Sequence, residues 1–178
     1  MKLRRGLLIG LAALWLVGAG EGAPAPVAPA PAPADLTLEQ LLAQRGWSTV
    51  QLHENAFSQL ETELVVNGEH RLRAQISTSF SKTIFDAEVV ERLGLAVEPT
   101  NIEITGAKKQ RLGSLQLSSL AFGETRVGAA TVFTADLTSL LGKTSDALPV
   151  QGVIGSDLLT KYQAVLEIPT SKLYLRVR

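Results

Sequence analysis

The chain has 178 residues, 46% of them hydrophobic and 19% charged, with 17 basic side chains against 17 acidic ones; this is a globular composition with length enough for one domain and its own core. Zero formal charge and the lack of any Lys/Arg block give a nucleic acid nothing to recognise. Without cysteine there is no disulfide, thiol nucleophile, thiolate metal ligand or acylated lipoprotein cysteine, and His53 and His70 alone are too few for a histidine-rich metal centre, so neither metal nor cofactor is expected.

In chain order the first element is a targeting segment. Lys2, Arg4 and Arg5 precede an uncharged apolar run over residues 6–20, and Val17-Gly18-Ala19 supplies small residues for cleavage. The run is short against the roughly 20 residues that span a bilayer. Residues 1–19 are therefore expected to be a cleaved signal peptide, with an uncleaved anchor as the rival reading. The expected location is the periplasm or the cell exterior, with membrane contact only through that signal. Its removal takes Lys2, Arg4 and Arg5 and leaves a net charge near −3. Residues 20–35, dominated by alternating Pro and Ala, are expected to be an extended spacer, since proline fixes φ and cannot donate to a ladder. The folded domain is expected over 36–178.

That domain opens with a short helix. Thr37 with Gln40 three residues on makes a capping box, Leu36 and Leu41 are placed as a staple, Leu38, Leu41 and Leu42 give an apolar face, and Gly46 stops it. Strand text follows at 49–52 and 60–66, then the hairpin dipeptide Asn67-Gly68, then 72–76 and 83–85. Asp86 is expected to cap a helix carrying Val89, Val90 and Leu93 and ending at Gly94. Short alternating strands at 102–104, 111–120 and 129–133 are punctuated by Gly106, Gly113, Gly123 and Gly128. A brief helix or turn is expected over 136–141, a helix over about 156–162 after Gly152-Val153-Ile154-Gly155, and a closing hairpin from 164–168 and 173–177. Strands about ten residues apart with few helices predict a mainly β fold, a small closed β-barrel.

The ordered set of local texts carries a resemblance. Leu64-Val65-Val66-Asn67-Gly68, Thr83-Ile84-Phe85-Asp86 running on to Arg92-Leu93-Gly94-Leu95, Ala135-Asp136-Leu137-Thr138, Gly152-Val153-Ile154-Gly155-Ser156-Asp157-Leu158-Leu159, and the endings Tyr162-Gln163-Ala164-Val165-Leu166-Glu167 and Lys172-Leu173-Tyr174-Leu175 stand in sequence. Together they resemble the single-lobe, retropepsin-type aspartic peptidases in their bacterial secreted form. The resemblance runs from about residue 36 to the C-terminus and implies an acid-protease barrel with one or two short helices. It also implies a homodimer with terminal strands at the interface, a hairpin covering a groove, and a crossing at Gly152–Gly155 that braces the catalytic loop.

Where that family has Asp-Thr-Gly, this chain has Ser77-Thr78-Ser79. Aspartic peptidases work through two carboxylates that share one proton, one serving as base toward water. A serine hydroxyl does not titrate in that range and is no base near neutral pH. Thr78 keeps the family's threonine, while Ser79 puts a Cβ where glycine lets backbones approach, which predicts a loosened or remodelled loop. No catalytic residue is assigned. The degenerate position is Ser77, Thr78 and Ser79, and the expected groove for a substrate or partner is those three with Gly152, Val153, Ile154 and Gly155.

Other candidates have plainer readings. Asp86, Asp136 and Asp157 precede helical turns and serve as caps or first-turn acids. Ser79-Phe80-Ser81-Lys82 spells Ser-x-x-Lys, but that chemistry needs the serine to open a helix, and here a strand follows. His70 is expected to be exposed after its turn and His53 to lie just past a strand end, neither placed to form a triad with Ser77. Trp47 and Phe57 read as core or rim packing, and 108–111 as the basic tip of a hairpin. Three functional readings follow. The first is an inactive homologue that binds a peptide or protein partner. The second is an aspartic-type endopeptidase, working through a hetero-pair or an unrecognised group. The third is a structural envelope protein.

Overall fold

Among the residues described by the computed structural model, 36–106, 108–141 and 150–177, strands dominate and the helices are short. The signal peptide read over 1–19 and the spacer over 20–35 lie outside the described residues.

Local sequence signals decide where each element begins and ends. Helix α1, Leu38–Gln44, starts at the Thr37 capping box, with Thr37 Oγ1 accepting from Gln40 N and Gln40 Oε1 accepting from Thr37 N. Strands β1 (Trp47–Gln51), β2 (His53–Glu54), β3 (Leu60–Val66) and β4 (His70–Ile76) follow. The β3–β4 turn is Asn67-Gly68, and both residues take positive φ, +52 and +80. Strand β5, Ile84–Asp86, runs straight into α2, Ala87–Arg92, whose N-cap is Asp86. Then come β6 (Glu98–Thr105), β7 (Lys109–Phe122), β8 (Thr125–Ala135) and α3 (Leu137–Leu141). Strand β9 (Gly152–Ile154), α4 (Ser156–Lys161), β10 (Val165–Glu167) and β11 (Lys172–Arg176) complete the chain.

The large sheet runs β2-β3-β4-β9-β5-β8-β7-β6, and an added β3–β7 pairing closes it into a ring. Closure removes most free edges, which is how small antiparallel proteins avoid edge-to-edge association. The fold is thus mainly β and barrel-like, as expected. Alternation fills the ring: in β4, Leu72, Ala74 and Ile76 are buried while Arg71, Arg73 and Gln75 between them are not. A smaller second cluster joins Ile84, Leu112, Phe133, Leu137, Leu140 and Val153.

Strand β9 feeds both cores. It is wholly buried, with Ile154 in the barrel cluster and Val153 in the smaller one. Burial of two such side chains contributes about 1.5–3 kcal/mol each. Strands β4 and β5 are consecutive in the chain but do not pair. Strand β9 lies between them, parallel to β4 (Ile76 opposite Ile154) and antiparallel to β5 (Ile84 opposite Val153).

A separate three-stranded sheet, β1-β11-β10, is formed by the two ends of the domain. Helix α1 contributes no buried residue, and Leu36 and Leu38 remain 53% and 38% exposed, so the expected staple does not bury Leu36. An ion pair from Lys172 to Glu39 at 2.5 Å holds α1 there instead. Tyr174 in β11 is 1% exposed and donates its hydroxyl to Glu167 Oε2 at 2.6 Å. Burial, then the Glu167 carboxylate, push its phenol up to about 12. The phenol is neutral in both states below its unfolded value near 10, so its contribution is intact there and is lost as pH rises from about 10 toward 12. Chemical unfolding across pH 9–12 is expected to show that alkaline loss in the native chain and a shallower one in Tyr174→Phe.

Candidate functional site

The loop from Ser77 to Thr83 joins β4 to β5 around the end of β9. Its conformation is set by five bonds to that crossing and to the start of the helix after it. Ser77 N donates to Ile154 O at 3.0 Å, Ser156 N to Phe80 O at 2.8 Å, and Gly155 N to Thr83 Oγ1 at 3.1 Å. Thr83 Oγ1 in turn donates to Asp157 Oδ1 at 2.7 Å, while Thr83 N donates to Asp157 Oδ2 at 3.0 Å. Thr83 is 0% exposed and its carbonyl accepts from Phe133 N, so each of its polar groups is used.

Gly155 is required by distance rather than by φ. A Cβ built on it stands 2.4 Å from both C and O of Lys82 and 2.9 Å from Phe80 O. Loop and crossing are therefore in backbone contact, the close approach for which glycine is used.

Within the loop, Ser77 is half-buried while Thr78 and Ser79 are exposed. The Ser77 and Ser79 hydroxyls are 2.8 Å apart, a hydrogen bond between two neutral groups. Ser79 is not among the non-glycine residues with positive φ, which are Ser58, Asn67, Gln163 and Ser171, so its side chain imposes no backbone strain. Gly152, Val153, Ile154 and Gly155 are buried behind the loop. The open surface beside the loop is a cleft of about 420 Å³ lined by Ile76, Thr78, Ser156, Leu159 and Leu166, among others.

Among the described residues no carboxylate is hydrogen-bonded to either hydroxyl. Asp157 is the acid bonded to the loop, and it is spent on Thr83 and on Leu158 N. Its reading as a first-turn acid was incomplete: it sits in the first turn of α4 but ties that helix to the loop. Asp86 caps α2 through Glu88 N and also accepts from Leu137 N, joining two helix starts. Asp136 accepts from Ser139 N and Oγ, and those bonds hold its carboxyl below the usual range, led by the Ser139 hydroxyl. Lys82 of the Ser-x-x-Lys text lies over the Phe133 ring at 5.3 Å, in a loop and not a helix.

Among the described residues neither histidine is hydrogen-bonded to the loop's hydroxyls. His53 is exposed on the short β2, and His70 begins β4, at the end opposite Ser77. His70 is half-buried rather than exposed, with Nε2 at 3.4 Å from Glu69 Oε1. Phe57 is 47% exposed in the β2–β3 turn, not core packing, because Asn55 Oδ1 accepts from Phe57 N and Gln59 N and turns the chain outward there. The basic text at 108–111 does lie at the β6–β7 hairpin. Gln110 on it makes a two-way amide pair with the backbone of Asp136, at 3.0 Å each way. No local pattern in the sequence announced that pair.

No family model matches the chain, and no curated protein matches it. Three solved structures are similar in fold. A retropepsin-like aspartic protease from Rickettsia conorii is 15% identical, with a TM-score of 0.48, over 73% of this chain and 90% of that one. A retroviral protease-like domain from Leishmania major is 13% identical, with a TM-score of 0.44, over 62% and 84%. The EIAV protease in complex with an inhibitor is 17% identical, with a TM-score of 0.46, over 65% and 98%.

Proposed function

We propose that this chain is a secreted retropepsin-like barrel that does not cleave, and that the exposed loop 77–79 with its adjoining cleft binds a peptide or protein partner. The observation that carries this reading is the Ser77–Ser79 hydroxyl pair at 2.8 Å. Two neutral hydroxyls occupy the place where the chemistry needs an ionisable carboxylate sharing a proton with a second one. Neither can hold the negative charge that activates water, and the nearest bonded acid is consumed in bracing the loop. The same hydroxyls suit main-chain amides and carbonyls of an extended ligand. The cleft beside them, about 420 Å³ with Ile76, Leu159 and Leu166 in its walls, is within the usual range of roughly 300–1,000 Å³ for ligand pockets.

The proposal places the domain in the periplasm as a homodimer, as the family resemblance implies. Strand β11 is paired on both sides, by β1 and by β10. A second copy or a ligand strand therefore has only the outer edges of β1 and β10 to add to in that sheet. The reading is tested by selecting a random peptide library on the immobilised full chain. A related set of peptides is expected, with affinity reduced about tenfold by Thr78→Arg and unchanged by Glu88→Arg on α2. Failure to enrich any peptide set, or enrichment indifferent to Thr78→Arg, overturns it.

A further inference from the structure

We propose that Arg176 and Lys161 form an oxyanion-binding pocket, one that takes a carboxylate or phosphoryl group and is distinct from the loop at 77–79. Trp47 of β1 stands opposite Arg176 of β11, and the guanidinium lies over the indole at 4.7 Å. Past α4 the chain turns through Gln163 in a left-handed conformation, φ +47. That turn presents two acceptors in one direction. Gln163 O takes the Trp47 indole N–H at 3.0 Å, and Gln163 Oε1 takes Arg176 Nη1 at 3.0 Å. Trp47, Gln163 and Arg176 thus form a closed set that fixes the guanidinium plane.

A guanidinium carries five N–H donors, and one is used here. Arg176 and Lys161 have no acidic partner among the described residues; the contact recorded for Lys161 is with the Tyr162 ring, at 5.1 Å. Both line a cavity of about 340 Å³ with Val127, Tyr162, Gln163 and Val177, and among the described residues no acid lines it. The Tyr162 hydroxyl donates to the carbonyl of Val127, another residue of the wall. At the end of α4 the carbonyls of Leu158, Leu159, Thr160, Tyr162 and Gln163 each accept an N–H group. A stacked, pre-oriented arginine loses little rotamer freedom on binding and matches the planar geometry of carboxylate or phosphoryl oxygens, with Lys161 as the second charge. The pocket meets the cleft beside Thr78 only at Gln163, which lines both.

The test is a titration of the full chain with inorganic phosphate and, separately, with sodium acetate, at fixed ionic strength. The readout is the indole N–H of Trp47 and the Nε–H of Arg176 in nitrogen-15 spectra. A saturable shift of both signals is expected, weakened several-fold by Lys161→Gln and abolished by Arg176→Gln. Saturation by phosphate alone assigns a phosphoryl ligand, and saturation by acetate as well assigns a carboxylate; either supports the pocket. Shifts linear in added salt and reproduced by sodium chloride overturn it, as does an Arg176→Gln chain with an unchanged curve. Should Arg176→Gln lose the native spectrum, Lys161→Gln at its exposed site decides alone, and an unchanged curve there overturns the pocket.

Discussion

Gly155→Ala is expected to destabilise the domain by about 3 kcal/mol, because overpacking against a backbone that cannot yield costs more than a side-chain clash. The added methyl stands 2.4 Å from Lys82 C and O, and both partners are main chain, so the loop or the crossing has to move. Strand β9 cannot give way cheaply, since it pairs with β4 on one side and β5 on the other and its side chains are buried. For a domain of this size the loss corresponds to a fall in melting temperature of roughly 10 °C. Gly152→Ala is the graded control: its methyl meets the Phe85 ring at 3.0 Å, a side chain that can shift, and a smaller loss is expected. Thermal unfolding followed by circular dichroism checks the order. Equal, small effects at both positions contradict the backbone contact between loop and crossing.

Thr83→Val is the second large effect, about 3 kcal/mol. The substitution keeps shape and β-branching but removes the hydroxyl that accepts from Gly155 N and donates to Asp157. It leaves the buried Gly155 N–H unpaired, at about 1–3 kcal/mol, and takes from Asp157 Oδ1 one of its two donors, Leu158 N remaining. Asp157→Ala removes the other side of the same network. The double variant is expected to lose less than the two single losses combined, by about 0.5–3 kcal/mol, as for residues sharing one network. Denaturant unfolding of the four chains measures this directly, and strict additivity is the contrary result.

How much of this was legible in the sequence depends on whether the cause was local. Thr37 with Gln40, Asn67-Gly68 and Asp86 act within three or four residues, and each ends or begins its element where the text placed it. Strand β3 has the bounds its apolar text suggested, Leu60–Val66. The threading of β9 between β4 and β5 is different, because its pairing partners lie some 70–80 residues away. Only the resemblance pointed to that crossing; hydrophobic periodicity cannot specify a partner. For the same reason the use of Asp157 was misjudged. An acid in a first helical turn is fully explained locally, and nothing near it in sequence announces Thr83. The Ser77–Ser79 bond was likewise hidden: residues two apart share a face in a strand but stand about 6–7 Å apart, and only the turn at 78–79 brings their hydroxyls together.

The chemical reading of the site rests on residue identity, which the sequence displays in full, and on what surrounds it, which only the fold provides. Had Asp157 pointed into the cleft beside Thr78, a carboxylate would have stood at the proposed site. Its two oxygens are instead bonded behind the loop.

The most direct test of the account is a cleavage assay. The full chain is incubated with a broad peptide library from pH 3 to pH 8 and the products are read by mass spectrometry, with Ser77→Ala and the Ser77→Asp, Ser79→Gly double variant in parallel. The account predicts no new termini from the native chain or from Ser77→Ala at any pH. Pepstatin-sensitive cleavage by the native chain, or cleavage of any kind that Ser77→Ala abolishes, contradicts it.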